Sequence, residues 1–329
     1  ETVKEVMLFD HCTWDDDYKE ITQKIRRDLL KLAQVEETEY TTVLMQGSGS
    51  FGVESVLGSV VPKDGCVLLL SNGAYGERAA KMCSYYEIPC IHVKQDYNKT
   101  PDANEAEELL KTHPEITHIM MIHSETTSGI LNDIESIGKL AEAYGKVFIV
   151  DAMSSFAGVE IPVKDWYIDF LISSANKCIQ GVPGFSFIIC SREELKKCEG
   201  QARSLSLDLY DQWKTMEKDG KWRFTSPTHV VLAFSQALKE MEEEGGIPAR
   251  HARYAENNRI LIEKMEELGI RPYIEGPLQG SIITIFYYPE HAEFSFQEMY
   301  QYIKERGYAI YPGKVTEAET FRIGNIGEI

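Results

Sequence analysis

The chain has 329 residues, of which 34 are Lys or Arg and 52 are Asp or Glu, for a formal net charge of −18. That length is about two units of roughly 150 residues each, enough to bury a sizeable core, and it excludes a peptide ligand or a disulfide mini-protein. The acidic balance repels nucleic-acid backbones and anionic lipid surfaces, so neither is expected as a partner, and 43% hydrophobic residues with only 12 prolines is a globular rather than a disordered composition.

Seven cysteines, Cys12, Cys66, Cys83, Cys90, Cys178, Cys190 and Cys198, are odd in number, scattered, and mostly set in apolar runs. They are expected as reduced core residues. Cys83, Cys90 and His92 lack CxxC spacing and a fourth ligand, so no metal is expected there. No run approaches the ~18 uncharged apolar residues that span a bilayer, and the N-terminus shows no basic-then-apolar leader. The cytoplasm is the expected location.

In chain order, Asp15, Asp16 and Asp17 precede Ile21, Ile25, Leu29 and Leu32 at helical spacing. A strand at 41–45, a turn at 46–50 and a helix at 53–61 follow. The alternation continues with strands at 67–70, 91–93, 116–122, 147–150 and 169–173, and helices at 76–86, 104–112 and 134–144. Near-continuous apolar strands separated by amphipathic helices predict an α/β core with a mostly parallel sheet covered on both faces. Residues 185–190 follow across a Gly/Pro loop too short for a crossover helix, which predicts one antiparallel strand. From about residue 230 the pattern becomes α+β: helices at 230–244 and on to Leu268, a strand at 282–287, a helix at 295–305 and a strand at 308–311. A large domain of 16–229 and a smaller C-terminal one of 230–329, joined by 1–15, are expected.

Ligands bind at the carboxyl ends of strands in such sheets. Gly47-Ser48-Gly49-Ser50-Phe51-Gly52 fits G-x-G-x-x-G, yet a dinucleotide site needs an acidic side chain after the next strand, and Ser71-Asn72 stand there. What remains is a cup of small residues, Ser48, Gly49 and Ser50, suited to a phosphate at a helix N-terminus. Asp151 follows the strand at 147–150, and Lys177 follows the one at 169–173. Ser174-x-x-Lys177 mimics a serine–lysine hydrolase pair, but no Lys-Thr-Gly or Ser-Asp-Asn partner accompanies it. A phosphate cup, an aspartate and a lysine in one crevice suit pyridoxal 5'-phosphate. The lysine would form the Schiff base, the carboxylate would keep the ring nitrogen protonated, and the cup would hold the phosphate. Tyr75, in Asn72-Gly73-Ala74-Tyr75-Gly76, is placed to stack on the ring.

Three segments also carry a family resemblance: Asp151-Ala152-Met153-Ser154-Ser155-Phe156, the run from Ser173 to Gly184 (SSANKCIQGVPG), and the run from Arg203 to Tyr210 (RSLSLDLY). They resemble the 2-aminoethylphosphonate:pyruvate transaminases, in the alanine–glyoxylate branch of fold-type I pyridoxal phosphate enzymes, and the likeness extends through nearly the whole chain. The resemblance implies Lys177 as the Schiff-base lysine, Asp151 as the pyridinium partner, Ser48, Gly49 and Ser50 as phosphate ligands, and Tyr75 as the stacking ring. It further implies Thr126 as a donor to the cofactor's phenolic oxygen, Thr225 as a phosphate ligand of the neighbouring subunit, and Arg322 as the clamp for the substrate's anion. The enzyme would be a homodimer with shared active sites, converting 2-aminoethylphosphonate and pyruvate to phosphonoacetaldehyde and L-alanine in phosphonate catabolism. Serine- or alanine–glyoxylate transamination is the alternative. The family carries a Pro-Gly-Pro segment before the position of Glu1 and a helix after Gly327, so both ends are expected to be incomplete. Ser50 stands where relatives often have threonine, which keeps the hydroxyl.

Overall fold

The structure is a computed structural model and describes residues 1–290 and 293–328. In chain order the elements are α1 (Thr2–Glu5), α2 (Asp16–Leu32), β1 (Tyr40–Gln46), α3 (Gly49–Val60), β2 (Cys66–Ser71), α4 (Ala74–Tyr85), β3 (Cys90–Lys94), α5 (Ala103–Thr112) and β4 (Ile116–Ile122). A small hairpin follows, β5 (Ser124–Glu125) with β6 (Ile130–Leu131), then α6 (Ile134–Ala143), β7 (Val147–Asp151), β8 (Phe170–Ser174), β9 (Phe185–Ser191), α7 (Arg192–Lys197) and α8 (Leu209–Asp219). The chain continues with α9 (Thr228–Glu244), α10 (Gly246–Glu267), β10 (Ile283–Tyr287), α11 (Phe296–Lys304), β11 (Tyr311–Pro312) and β12 (Thr320–Gly324).

Seven strands form the main sheet in the order β1-β9-β8-β7-β4-β2-β3. The pairs within β8-β7-β4-β2-β3 are parallel, and β9 runs antiparallel to both β8 and β1, as the short Gly/Pro loop required. The strands are apolar almost throughout because both faces are covered. Val67, Leu69, Met120, Ile149 and Ile172 pack against α3, α4 and α8, while Leu68, Leu70, Ile119, Val150 and Leu171 pack against α2, α5, α6 and α9. Alternation along each strand thus feeds two cores rather than one core and solvent. Helix α9 places Val231, Phe234 and Ala237 in the second of these cores. The C-terminal sheet is antiparallel, in the order β10-β12-β11. Among the described residues no helix is long and apolar enough to cross a membrane.

Several elements depart from the sequence expectation. Helix α3 begins at Gly49, so the Gly/Ser stretch is its first turn rather than a preceding loop, and α4 likewise begins before Tyr75. Poor helix formers cost little at these positions, since the first N–H groups of a helix have no intrahelical acceptor. Helices α7 and α8 were not anticipated, although Asp208 caps the Asp211 N–H and Gly220 ends α8 in the left-handed region, both readable signals. The last expected strand is reduced to Tyr311–Pro312, and its partner β12 was missed altogether. The expectation for the cysteines needs correction at two positions: Cys12 is exposed and Cys90 is half-buried, while the other five are buried.

One close approach holds the long β7–β8 connection to α6. A Cβ at Gly138 would lie 1.9 Å from the Trp166 carbonyl oxygen, a backbone atom that cannot swing aside. Gly138→Ala is therefore expected to destabilise the fold by about 1–3 kcal/mol. Denaturant unfolding measures this, and an unchanged midpoint would show that α6 slides freely on the sheet.

Candidate active site

The parallel strands deliver their carboxyl ends to one place. β1 leads through Gly47 into α3, β2 into α4, β4 into 123–127, β7 ends on Asp151, and β8 runs into the turn that carries Lys177. The loops enclose a cavity of about 300 Å³ lined by Ser48, Gly49, Ser50, Tyr75, Thr126, Asp151 and Lys177 among others. Seven of the nine side chains singled out from the sequence therefore share one cavity.

Ser48 is the N-cap of α3, and its hydroxyl makes no capping bond, while its carbonyl accepts the Phe51 N–H at 2.8 Å. The N–H groups of Gly49 and Ser50 occupy the helix's first turn, where no intrahelical acceptor exists, so donors and the positive end of the helix face the cavity together. Arg78, three residues after Tyr75 on α4, donates to Ser50 Oγ at 3.2 Å and lies with its Cζ 5.0 Å from the Tyr75 ring centroid. The sequence reading missed it, although the i+3 spacing from Tyr75 places it on the same helix face.

Asp151 is buried, and its Oδ1 accepts the Met153 N–H at 2.9 Å. Burial pushes its carboxyl up to about 6, against the lowering effect of the Met153 N–H, with nearby Glu125 adding to the rise. Behind it His123, buried and held neutral by burial with its pKa pushed down to about 3, bonds Ser155 Oγ at 2.9 Å, and its backbone N–H donates to the Asp151 carbonyl at 2.9 Å.

Lys177 is half-buried and forms no ion pair among the described residues. Its turn closes where the Gly181 N–H donates to the Ala175 carbonyl at 3.0 Å, and a Cβ at 181 would come within 2.6 Å of that same oxygen. Helix α10 braces the turn from behind: Arg250 Nη1 and Tyr254 OH donate to the Cys178 carbonyl at 2.8 and 3.2 Å. The lysine is thus carried by a fixed turn.

The Tyr75 hydroxyl accepts from Lys314 Nζ at 3.2 Å. Burial alone would push this phenol up, but its bonds to Thr126 and Lys314 and the charges of Lys314 and Lys177 outweigh it and leave the phenol below its ordinary value. Arg322, on β12, lies outside the cavity lining but against it: Nη1 donates to the Thr126 carbonyl at 3.2 Å and Nε to the Pro312 carbonyl at 3.1 Å. The guanidinium is buried, yet no carboxylate pairs with it among the described residues. Thr225 is exposed and is not part of the cavity.

These residues fit pyridoxal 5'-phosphate. A buried carboxylate, a lysine with no ion pair among the described residues and a helix N-terminus whose first N–H groups have no intrahelical acceptor suit its ring nitrogen, aldehyde and phosphate in turn, within a volume at the lower end of ordinary ligand sites.

Comparison with known proteins agrees. The aminotransferase class-V family matches residues 12–322, and enzymes of that family depend on pyridoxal phosphate. A 2-aminoethylphosphonate–pyruvate transaminase from Lysinibacillus sphaericus is 56% identical over 328 residues, covering 100% of this chain and 89% of the relative. One from Bacillus cereus is 56% identical over 329 residues, covering 100% and 90%. Among solved structures, the alanine–glyoxylate aminotransferase of Nostoc sp. superposes with a TM-score of 0.91 at 21% identity over 99% of this chain and 86% of its own. The pyridoxamine–pyruvate aminotransferase of Mesorhizobium loti gives 0.89 at 24% over 99% and 83%. At those identities the structures speak for the fold alone, whereas the family match and the full-length relatives establish that this chain belongs to the class-V aminotransferases, in the 2-aminoethylphosphonate–pyruvate transaminase family.

Proposed function

We propose that the chain transfers the amine of 2-aminoethylphosphonate to pyruvate, releasing phosphonoacetaldehyde and L-alanine, as a cytoplasmic homodimer in phosphonate breakdown. The observation that carries this is the convergence of Lys177, Asp151 and the α3 N-terminus on one cavity beside a buried, unpaired Arg322, in a chain so close to transaminases of that name.

Bound there, the cofactor supplies an electron sink for the pair left behind when a C–H bond next to the substrate nitrogen breaks. Lys177 Nζ would hold the cofactor by its aldehyde carbon, and its free amine would serve as the general base that takes the proton from that C–H bond. Asp151 keeps a proton on the ring nitrogen by offering a carboxylate at that edge. Ser48, Gly49 and Ser50, with Arg78 bonded to Ser50, would hold the phosphate. Tyr75 would cover a ring face, and Thr126 would serve as a donor to the phenolic oxygen. Arg322 binds the phosphonate in one half of the cycle and the carboxylate in the other, because a guanidinium matches both with paired, charge-assisted bonds.

Dimer formation gives Thr225 its role, reaching the phosphate of the second copy. Supporting this, Phe51, Leu205 and Phe224 are 50%, 76% and 48% exposed around a groove that also includes Gly47, just outside the cup. Exposed apolar area so close to the site is what a second subunit would cover.

A panel of amine donors, followed by alanine formation from pyruvate, tests the reading. 2-Aminoethylphosphonate is expected to be the preferred donor, and a preference for serine with glyoxylate would replace this function with the glyoxylate alternative. Arg322→Lys is expected to raise KM for both substrates by about tenfold, since a single ammonium cannot reproduce the fork. An unchanged KM for both would remove Arg322 from substrate binding.

A further inference from the structure

We propose that Lys314 is a second cation of the substrate-anion subsite, engaged by the phosphonate of the amine donor and not by the carboxylate of pyruvate, so that it sets the enzyme's preference for a phosphonate donor. This rests on the transaminase reading above and extends it to a residue that neither the motifs nor the spacing of the chain picked out.

Lys314 lies on the loop between β11 and β12, which belongs to the C-terminal sheet, yet its ammonium reaches Tyr75 at the wall of the cavity. The nitrogen is 3.2 Å from the phenol oxygen and 4.7 Å from the ring centroid, so it sits toward the hydroxyl end of the ring rather than over its centre. The same edge is linked to Arg322, because Tyr75 and Thr126 line the same cavity and Arg322 Nη1 donates to the Thr126 carbonyl. Two cations therefore flank one short strip of wall, Tyr75 with Thr126.

Neither cation forms an ion pair among the described residues. Glu317, on the same loop as Lys314, is taken instead by the Tyr273 hydroxyl. A half-buried lysine with no ion pair among the described residues, in a chain whose acids outnumber its bases 52 to 34, is an arrangement suited to an anion. Arg78 is committed at the phosphate cup through Ser50, and Lys177 is committed to the cofactor.

The donor count of Arg322 explains why a second cation is needed. Of the five N–H groups of a guanidinium, Nε–H is spent on the Pro312 carbonyl and one Nη1–H on the Thr126 carbonyl. Of the three that remain, one on each terminal nitrogen makes a fork, which satisfies the two oxygens of a carboxylate, and the third faces the Nε side, away from that fork. A phosphonate brings a third oxygen and, near neutral pH, a second partial negative charge, as a phosphate monoester does. Lys314 supplies the donor and the charge that the fork lacks, and moves from the Tyr75 hydroxyl to do so.

The test uses the cofactor-loaded enzyme and its Lys314→Gln and Lys314→Arg variants, with ethylphosphonate, which has no amine, as the binding probe. Calorimetric titration is expected to show ethylphosphonate binding weakened on the order of tenfold or more in Lys314→Gln and largely restored in Lys314→Arg. kcat/KM for 2-aminoethylphosphonate should fall in parallel, while kcat/KM for pyruvate stays within about twofold. Equal losses for both substrates would make Lys314 a positioning residue for Tyr75 and overturn the proposal, as would unchanged ethylphosphonate affinity. If the parent enzyme binds ethylphosphonate through Lys314 but does not turn over 2-aminoethylphosphonate, the transaminase reading fails and the subsite stands.

Discussion

Lys177→Ala is expected to abolish transamination and the visible absorbance of covalently held cofactor, with a fall in kcat of at least roughly 1000-fold. The loss has two sources. The variant has no amine on which to hold the aldehyde, and no base within reach of the C–H bond that must break. Neighbours do not compensate: Asn176 and Ser174 border the same part of the cavity but carry no basic amine. The fold should survive. Lys177 is half-buried without an ion pair, and the turn that carries it is held by the Gly181 N–H and by Arg250 and Tyr254 on the Cys178 carbonyl, none of which involves its side chain. Steady-state turnover and absorbance spectra, with circular dichroism to confirm folding, check the expectation. Near-normal turnover would show that position 177 does not hold the cofactor.

How much of this was legible in the sequence depends on what kind of signal each residue leaves. Asp151 and Lys177 were legible because Asp151 ends one apolar strand and Lys177 lies in the turn just after another, and the sheet sets β7 directly beside β8, so that chain order alone implied a shared crevice. The cup was legible as a run of small residues, but its structural status was not: Gly49 and Ser50 belong to the first turn of a helix, which local propensity disfavours and the missing N-terminal acceptors permit. Arg322 was reached through resemblance alone. Its strand, β12, pairs with β10 across a long sequence separation and with the two-residue β11, and five residues such as Thr320–Gly324 leave too weak a local pattern to be read. Lys314 is the extreme case, a lone lysine in a Gly- and Glu-rich loop whose position beside Tyr75 arises only when the C-terminal sheet docks against the loops of the main one. Residues placed by strand order can be inferred from periodicity, whereas those placed by docking of distant segments cannot.

Asp151→Asn is expected to retain cofactor but lose on the order of 100- to 1000-fold in kcat. Asparagine matches the carboxylate in size and its oxygen can still accept the Met153 N–H, so the ring edge remains lined, but no negative charge is left to hold a proton on the ring nitrogen. The same substitution has a second signature in cofactor-free protein. Burial raises the Asp151 carboxyl from 3.8 to about 6, so between those pH values the folded state holds a proton that the unfolded state has lost, and folding stability falls as pH rises. The full penalty, about 3 kcal/mol, is reached above the folded value and is absent below the unfolded one. In Asp151→Asn that slope is gone. An unpaired amide N–H in the variant would lower its stability at every pH alike, so the discriminating quantity is how the difference between the two proteins changes with pH. Denaturant unfolding of both cofactor-free proteins at pH 4 and pH 7 is expected to show the parent losing about 2 kcal/mol relative to the variant over that interval. A pH-independent difference would mean that the carboxylate is hydrated, and a hydrated carboxylate could not act as the buried partner of a pyridinium.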